Sequence, residues 1–263
     1  MRTLIFLVLV FSFATSNADN HADTLRRIAE TGEIRIGYVP DAPPLSFLDS
    51  ENNVVGYSID LCRRIASAAR DELGLEQIEI VFTPLVTMEE RLRAVENGDI
   101  DIECGATTVT LSRRGRVDFT LMTFITGSAV LSRKSSPIRG IDELDGAKIA
   151  VLRGTTTEDV MRSVIEANSF NIKLKLISSH DEGMELLNAG KVSGYASDRA
   201  MLIGQVVRNT DANNQYSMTR AALSFEPSAF MVPRGDANFR LVADKALAAQ
   251  FRGAGIRRLY QNW

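Results

Sequence analysis

The sequence predicts an α/β protein built as two lobes, and three observations carry that reading. Short apolar strands alternate with helix-spaced segments along the chain, which is the pattern of βα units around largely parallel sheets. A helix, a glycine stop and a strand ending in polar residues occur once from Arg91 to Cys104 and again from Met184 to Asp198. The 263 residues, 45% apolar and 24% charged, suffice for two domains of ordinary size with a core each.

The first residues read as an export leader. Arg2 is a positive start, Leu4 to Phe13 form an apolar run too short to span a bilayer, and Ser16-Asn17-Ala18 places small residues for cleavage after Ala18. A membrane anchor is the alternative, opposed by the polar Thr15-Ser16-Asn17 behind that run. Asp23 to Ala29 then suggests a helix stopping at Gly32, Glu33 to Val39 a strand, and Pro40 to Pro44 a rigid loop. Between Tyr57 and Leu73 the apolar positions Leu61, Cys62, Ile65, Ala66, Ala69 and Leu73 have helical spacing. A strand over Ile78 to Phe82 follows, with a helix marked by Met88, Leu92 and Val95 and ended by Asn97-Gly98. Gly146 to Leu152 is a strand leading into a helix, with Thr155 and Glu158 at capping-box spacing. Asn238 to Arg252 is amphipathic with Phe239, Val242, Ala246 and Ala249 inward, and Ile256 to Trp263 forms a final turn.

Formal charge is −3, or −4 without Arg2, when 29 Lys and Arg face 33 Asp and Glu. A mildly acidic chain gives no electrostatic case for nucleic acid or anionic membrane. Cys62 and Cys104 are either a disulfide or two packed thiols. His180 and His21 stand apart, so no metal site is expected, and no cofactor loop is visible.

The chemistry concentrates at Ile100 to Arg114, where a strand runs into Gly105-Ala106-Thr107-Thr108 and Arg113 follows. Backbone N–H groups, hydroxyls and a guanidinium at a strand end suit a small carboxylate. Arg113 in the first turn of a helix that Ser112 could cap opposes the dipole, so its charge serves a ligand or simply the surface with Arg114 and Arg116. Asp198, ending the second repeat, is either the acceptor of an ammonium group or the N-cap of a helix over Arg199 to Val206. No Ser–His–Asp set is readable, and Glu158 suits a cap better than an acid.

These motifs resemble the periplasmic amino-acid-binding proteins of polar amino-acid ABC importers, the bacterial solute-binding family 3. The resemblance runs from Thr24 to Trp263 through Val55 to Leu61, Gly98 to Asp101, Val117 to Thr120, Asp142 to Gly146 and Arg153 to Thr156. It looks closest to the glutamate/aspartate-binding branch, in Glu103 to Thr108, Gly154 to Glu158, His180, and Met122-Thr123 where other branches have Pro-Tyr. The resemblance implies a type II periplasmic-binding-protein fold, two α/β lobes joined by a two-stranded hinge near Thr123 to Gly127 and Glu226 to Ala229. Residues 19–125 with 227–263 would form lobe I and 126–226 lobe II. It implies that Arg113, Thr108 and the backbone at Ala106 hold an α-carboxylate, that Asp198 holds an α-ammonium, and that Thr156 joins them. Arg91, His180, Val39 and Tyr57 would face the ligand or its surroundings. Val39 and Met88 stand where that branch places charged and small polar residues, and Ala42 lacks a stacking aromatic, so the side-chain preference stays open. The expected partners are a free amino acid and the importer's membrane subunits, with the chain a periplasmic monomer. A cyclohexadienyl dehydratase on the same scaffold, with Glu158 as its acid one residue late in the loop, and a sensor for a membrane receptor are the alternatives.

Overall fold

The structure is a computed structural model that describes residues 23–208, 215–253 and 255–263. The expected leader and His21 lie outside the described residues. Helix α1 (Thr24–Thr31) is capped by the Asp23 carboxylate, which accepts from the Arg26 N–H, and ends at a left-handed Gly32. Strand β1 (Glu33–Tyr38) follows as expected. The stretch at 40–44 is more than a loop, because Asp41 and Ala42 pair with Phe47 and Ser46. Thus β2 (Asp41–Ala42), β3 (Ser46–Leu48) and β4 (Val54–Val55) make a small sheet of their own.

Helix α2 (Tyr57–Glu72) buries Leu61, Cys62, Ile65, Ala66 and Ala69, the face its spacing predicts. After β5 (Glu79–Pro84), helix α3 (Met88–Glu96) opens with a full capping box between Thr87 and Glu90. The strand expected at 100–104 is only β6 (Ile102–Glu103), followed by the one-turn α4 (Leu111–Arg114) and the long β7 (Asp118–Thr126). A second run gives β8 (Ser128–Arg133), β9 (Lys148–Leu152), α5 (Thr156–Asn168), β10 (Lys173–Ile177), α6 (His180–Asn188), β11 (Gly194–Asp198), α7 (Arg199–Arg208) and β12 (Tyr216–Met218). The chain closes with β13 (Glu226–Val232), α8 (Ala237–Arg252) and α9 (Gly255–Asn262).

These strands form two five-stranded sheets, ordered β5-β1-β6-β13-β7 and β10-β9-β11-β8-β12. In the first, β5, β1 and β6 are parallel and β13 runs antiparallel to its neighbours. In the second, β10, β9 and β11 are parallel and β8 is antiparallel to β11 and β12. The chain leaves the first sheet at Gly127 and returns to it at Glu226, which pairs with Thr126. Each sheet is buried on both faces, as parallel sheets with crossover helices must be. Along β8, Val130 faces a core with Ile149, Val151 and Met161, while Leu131 faces another with Tyr195 and Leu202. This is the bilobal type II architecture.

The first core gathers Ile34, Ile36, Leu61 and Ile65 with Phe230, Phe239 and Leu247 from the chain's far end. In α8, Phe239 and Val242 are buried as predicted, but Ala249 is exposed; Ala243 and Leu247 take the inward positions, so the apolar stripe is one residue wider than the spacing suggested. Residues 255–262 are a helix with Leu259 buried, where a mere turn was expected. Cys62 on α2 and Cys104 beyond β6 are joined as a disulfide inside this core, with Cα atoms 6.4 Å apart. The bonded alternative therefore holds over the packed thiols.

Candidate functional site

The carboxyl ends of β1, β6, β9 and β11 point toward one another, and a closed cavity lies between them. Val39, Ala42, Met88, Arg91, Ala106, Thr108 and Arg113 line it from the first lobe. Leu152, Thr155, Thr156, Thr157, His180, Ala196, Ser197, Asp198 and Met201 line it from the second. A broader groove of about 760 Å³ leads in past Arg113, Met88, Leu152 and Thr156. All of the sequence-predicted site residues except Tyr57 therefore meet at this cavity. Tyr57 is buried elsewhere: its hydroxyl donates to the Thr123 carbonyl at 2.8 Å, and its ring packs on Phe124 and Tyr260. It braces β7 instead of facing the site, and its place at the start of a helix bearing a family motif did not distinguish the two.

Arg113 owes its position to α4. The N-cap is Thr110, whose hydroxyl accepts from the Arg113 N–H at 3.2 Å; Ser112, the cap expected from sequence, lies inside the turn. The guanidinium is 7% exposed and donates to the Thr108 carbonyl at 2.7 Å and, across the cleft, to the Gly154 carbonyl at 3.4 Å. Among the described residues it forms no ion pair. Burial and the neighbouring Arg91 lower its pKa to about 10, against the opposite pull of Glu103, Glu226 and Asp159.

Asp198 ends β11 with its carboxylate in the cavity wall. Among the described residues its Oδ1 is buried without a hydrogen-bond partner, and no side-chain hydrogen bond ties it to the first turn of α7. The helix-cap alternative therefore fails. Burial, then the charge of Glu226, pushes its pKa up to about 7, with Arg113 pulling the other way. A cation and a carboxyl group thus face one cavity from opposite lobes, each without a partner of opposite charge among the described residues.

Hydroxyls bridge the two. Thr108 Oγ1 lies 3.3 Å from Thr156 Oγ1, which donates to Glu226 at 2.8 Å. Glu226 also accepts from Ser224 at 2.6 Å and Ser128 at 3.5 Å, so it ties the returning strand to α5 and β8. Deeper in lobe I, Arg91 donates to Thr107 at 3.3 Å and lies 3.5 Å from fully buried Glu103. Gly105 packs closely there: a Cβ would sit 2.3 Å from Glu103 Oε1, so any larger residue would displace that carboxylate.

Lobe contact extends to Asp41. Its carboxylate accepts from the backbone N–H groups of His180 at 2.6 Å and Asp181 at 3.3 Å, at the first turn of α6, while its carbonyl accepts from Gln205 at 2.8 Å. The His180 ring is hydrogen-bonded to the Tyr195 hydroxyl through Nδ1. Burial lowers the His180 pKa, Asp41 opposing and Arg91 reinforcing, so the ring is neutral at pH 7. Glu226 was visible in the sequence only as part of a hinge crossing, and Asp41 only as a loop residue. Their partners stand 70 and 139 positions away.

Thr155 caps α5 by accepting from the Glu158 N–H, but the Glu158 carboxylate binds the Gly154 N–H at 2.8 Å and Arg162 at 2.7 Å, so only half of the expected box forms. Burial alone would raise its pKa; the Gly154 and Arg162 contacts outweigh that and lower it.

Two α/β lobes meeting over a buried polar cavity define a two-lobed solute-binding protein. Residues 34–263 match the profile of the bacterial extracellular solute-binding proteins, family 3, and the chain belongs to that family. It is 31% identical to an L-glutamate/L-aspartate-binding protein of Pseudomonas aeruginosa over 94% of this chain and 81% of that one. It is 26% identical to a glutamate/aspartate import solute-binding protein of Salmonella typhimurium over 99% and 87% of the two chains. Among solved structures, an ancestral arginine-binding protein bound to glutamine superposes with a TM-score of 0.77 at 27% identity, over 88% of this chain and 97% of that one. All three are named as binding proteins, the Salmonella one for import, and with the family a solute-binding role follows for this chain.

Proposed function

We propose that the chain is an exported receptor that captures a free polar amino acid between its lobes and delivers it to the membrane subunits of an ABC importer. The lobes are residues 19–125 with 227–263 and residues 126–226, the leader is removed after Ala18, and the receptor works as a periplasmic monomer. The observation that carries this reading is the pair Arg113 and Asp198, buried on opposite lobes, lining one cavity and lacking ionic partners among the described residues. A zwitterion answers both: its carboxylate takes the guanidinium with help from Thr108, Thr156 and the backbone at Ala106, and its ammonium takes Asp198. Because the two groups belong to different lobes, binding favours the closed arrangement. Glutamate and aspartate enter as candidates through the names of the relatives.

The engagement of Glu158 with Gly154 and Arg162 supports a receptor over a dehydratase, because an acid catalyst needs a free proton to give. A thermal-shift screen of the twenty amino acids identifies the ligand, since binding to the folded form raises its apparent stability. Calorimetry with that ligand then tests the clamp: Arg113→Ala is expected to remove binding, and an unchanged affinity refutes the assignment.

A further inference from the structure

The clamp occupies only part of the cavity. The rest of its wall, where a ligand's side chain must lie, is Val39, Ala42, Met88 and Met201, with Arg91 and His180 as the polar members. Val39, Ala42 and Met201 pack together as one apolar cluster.

The charges around this wall are already balanced against an additional anion. Arg91 faces Glu103, fully buried at 3.5 Å, so its charge is countered from within the protein. His180 is neutral. Glu226, 3% exposed, is held by the hydroxyls of Thr156, Ser128 and Ser224 and by no cation among the described residues. The buried carboxyl groups Glu103, Asp198 and Glu226, together with Asp41 on the His180 N–H, thus stand with two guanidiniums, Arg91 and Arg113.

A zwitterion adds one charge of each sign and leaves that count unchanged. A second ligand carboxylate would be buried against apolar side chains and a guanidinium whose charge Glu103 already counters, with only its Nε buried and without a hydrogen-bond partner among the described residues. A cationic side chain gains from the overall count but not from this wall, where Arg91 repels it and, among the described residues, no carboxylate lines it.

We infer that this receptor selects an α-amino acid whose side chain carries no charge, and that Val39 is a specificity-determining residue. The inference rests on the amino-acid receptor reading above and narrows it.

The test is calorimetry of the full-length mature protein, freed of bound ligand, against L-alanine, L-serine, L-valine, L-leucine and L-glutamine, and against L-glutamate, L-aspartate and L-arginine. At least one uncharged amino acid is expected to bind 100-fold or more tightly than any charged one. If glutamate, aspartate or arginine binds as tightly as the best uncharged member, the selectivity is wrong and the receptor reading stands. If no amino acid of the twenty in the thermal-shift screen binds, both fall. Val39→Arg places a cation on the apolar wall and is expected to improve glutamate or aspartate binding at least tenfold. A folded Val39→Arg protein with no such gain overturns the role of Val39; should the variant not fold, Val39→Lys takes its place, and the wild-type panel decides the selectivity in any case.

Discussion

Replacing Asp198 with asparagine is expected to stabilise the ligand-free protein while removing its ability to bind an amino acid. The Asp198 carboxylate is buried with Oδ1 unpartnered, and its pKa stands at about 7 instead of the ordinary 3.8. Between those values the folded state holds a proton that the unfolded chain has released. This group's contribution to stability is therefore fully present below about pH 4 and is lost as pH rises through about 7. At ~1.4 kcal/mol per pKa unit, the full cost of ionising Asp198 in the folded state approaches about 4 kcal/mol. Lobe opening hydrates the carboxylate and relieves part of that, and the asparagine amide brings its own unmet hydrogen bonds, costing about 1–3 kcal/mol. A net gain of ~1–2 kcal/mol at pH 8 is expected, or roughly 2–8 °C in Tm for a chain of this size. Differential scanning calorimetry of both proteins without ligand, at pH 5 and pH 8, reads it directly. The gap should be small at pH 5 and widen toward pH 8. If Asp198→Asn melts at or below the wild type at pH 8, or the gap does not widen, Asp198 is not the destabilised carboxylate described here.

Gly204 on α7 lies so close to lobe I that a Cβ would sit 2.2 Å from the Pro43 carbonyl oxygen. Gly204→Ala should prop the lobes apart, weakening ligand affinity at least tenfold and raising the radius of gyration in small-angle scattering; an unaltered affinity would mean that closure does not bring these surfaces together. Asp41→Ala removes the carboxylate from the first turn of α6 and should weaken affinity about tenfold, given ~1.5–3 kcal/mol per hydrogen bond to a charged group and partial replacement by water. Because Asp41 is not among the residues that line the cavity, a change in ligand preference on its replacement would contradict its role as a contact that only joins the lobes. Reducing Cys62–Cys104, separated by 42 positions, should lower unfolding free energy by about 4 kcal/mol on loop entropy, seen as an earlier midpoint in denaturant. An unmoved midpoint on reduction would show that the bridge adds nothing to lobe I.

Helices with one buried face were legible because the periodicity alone specifies them; α2 follows its apolar spacing residue for residue over Leu61 to Ala69. The second sheet was legible as a repeat because the same order of helix, glycine and polar-ended strand precedes β6 and β11. Arg113 and Asp198 could be singled out as residue types but not decided, since an arginine in a first turn and an aspartate before a helix each have an ordinary structural use. Resemblance tipped them, and the geometry shows Asp198 caps nothing. Asp41 and Glu226 were legible only as a loop residue and part of a hinge crossing, not as members of the site. A carboxylate at a helix N-terminus usually comes from its own chain neighbourhood, whereas the first turn of α6 takes Asp41 from the other lobe. The inward face of α8 was half-read, because alanine suits both sides of a helix and Ala249 carries no mark of its exposure.

Closure and selectivity follow from the same arrangement of charge. The closed lobes are joined by contacts that need no ligand: Asp41 with α6, Gln205 with the Asp41 carbonyl, Thr108 with Thr156, and Arg113 with Gly154. Acting against them are Asp198, Arg113 and Glu226, drawn out of water without partners of opposite sign. Hydrogen bonds to a charged group contribute about 1.5–3 kcal/mol each, and burying an unpartnered carboxyl costs a similar amount. Neither side dominates, so a ligand with modest differential affinity can move the equilibrium, at about 1.4 kcal/mol per tenfold. An α-amino acid supplies an anion at Arg113 and a cation at Asp198, and it reaches both only when the lobes meet. A charged side chain would add to the opposing side whatever the clamp contributes. On the receptor reading proposed above, the ligand expected to close the protein best is the one whose charges end at its α-carbon.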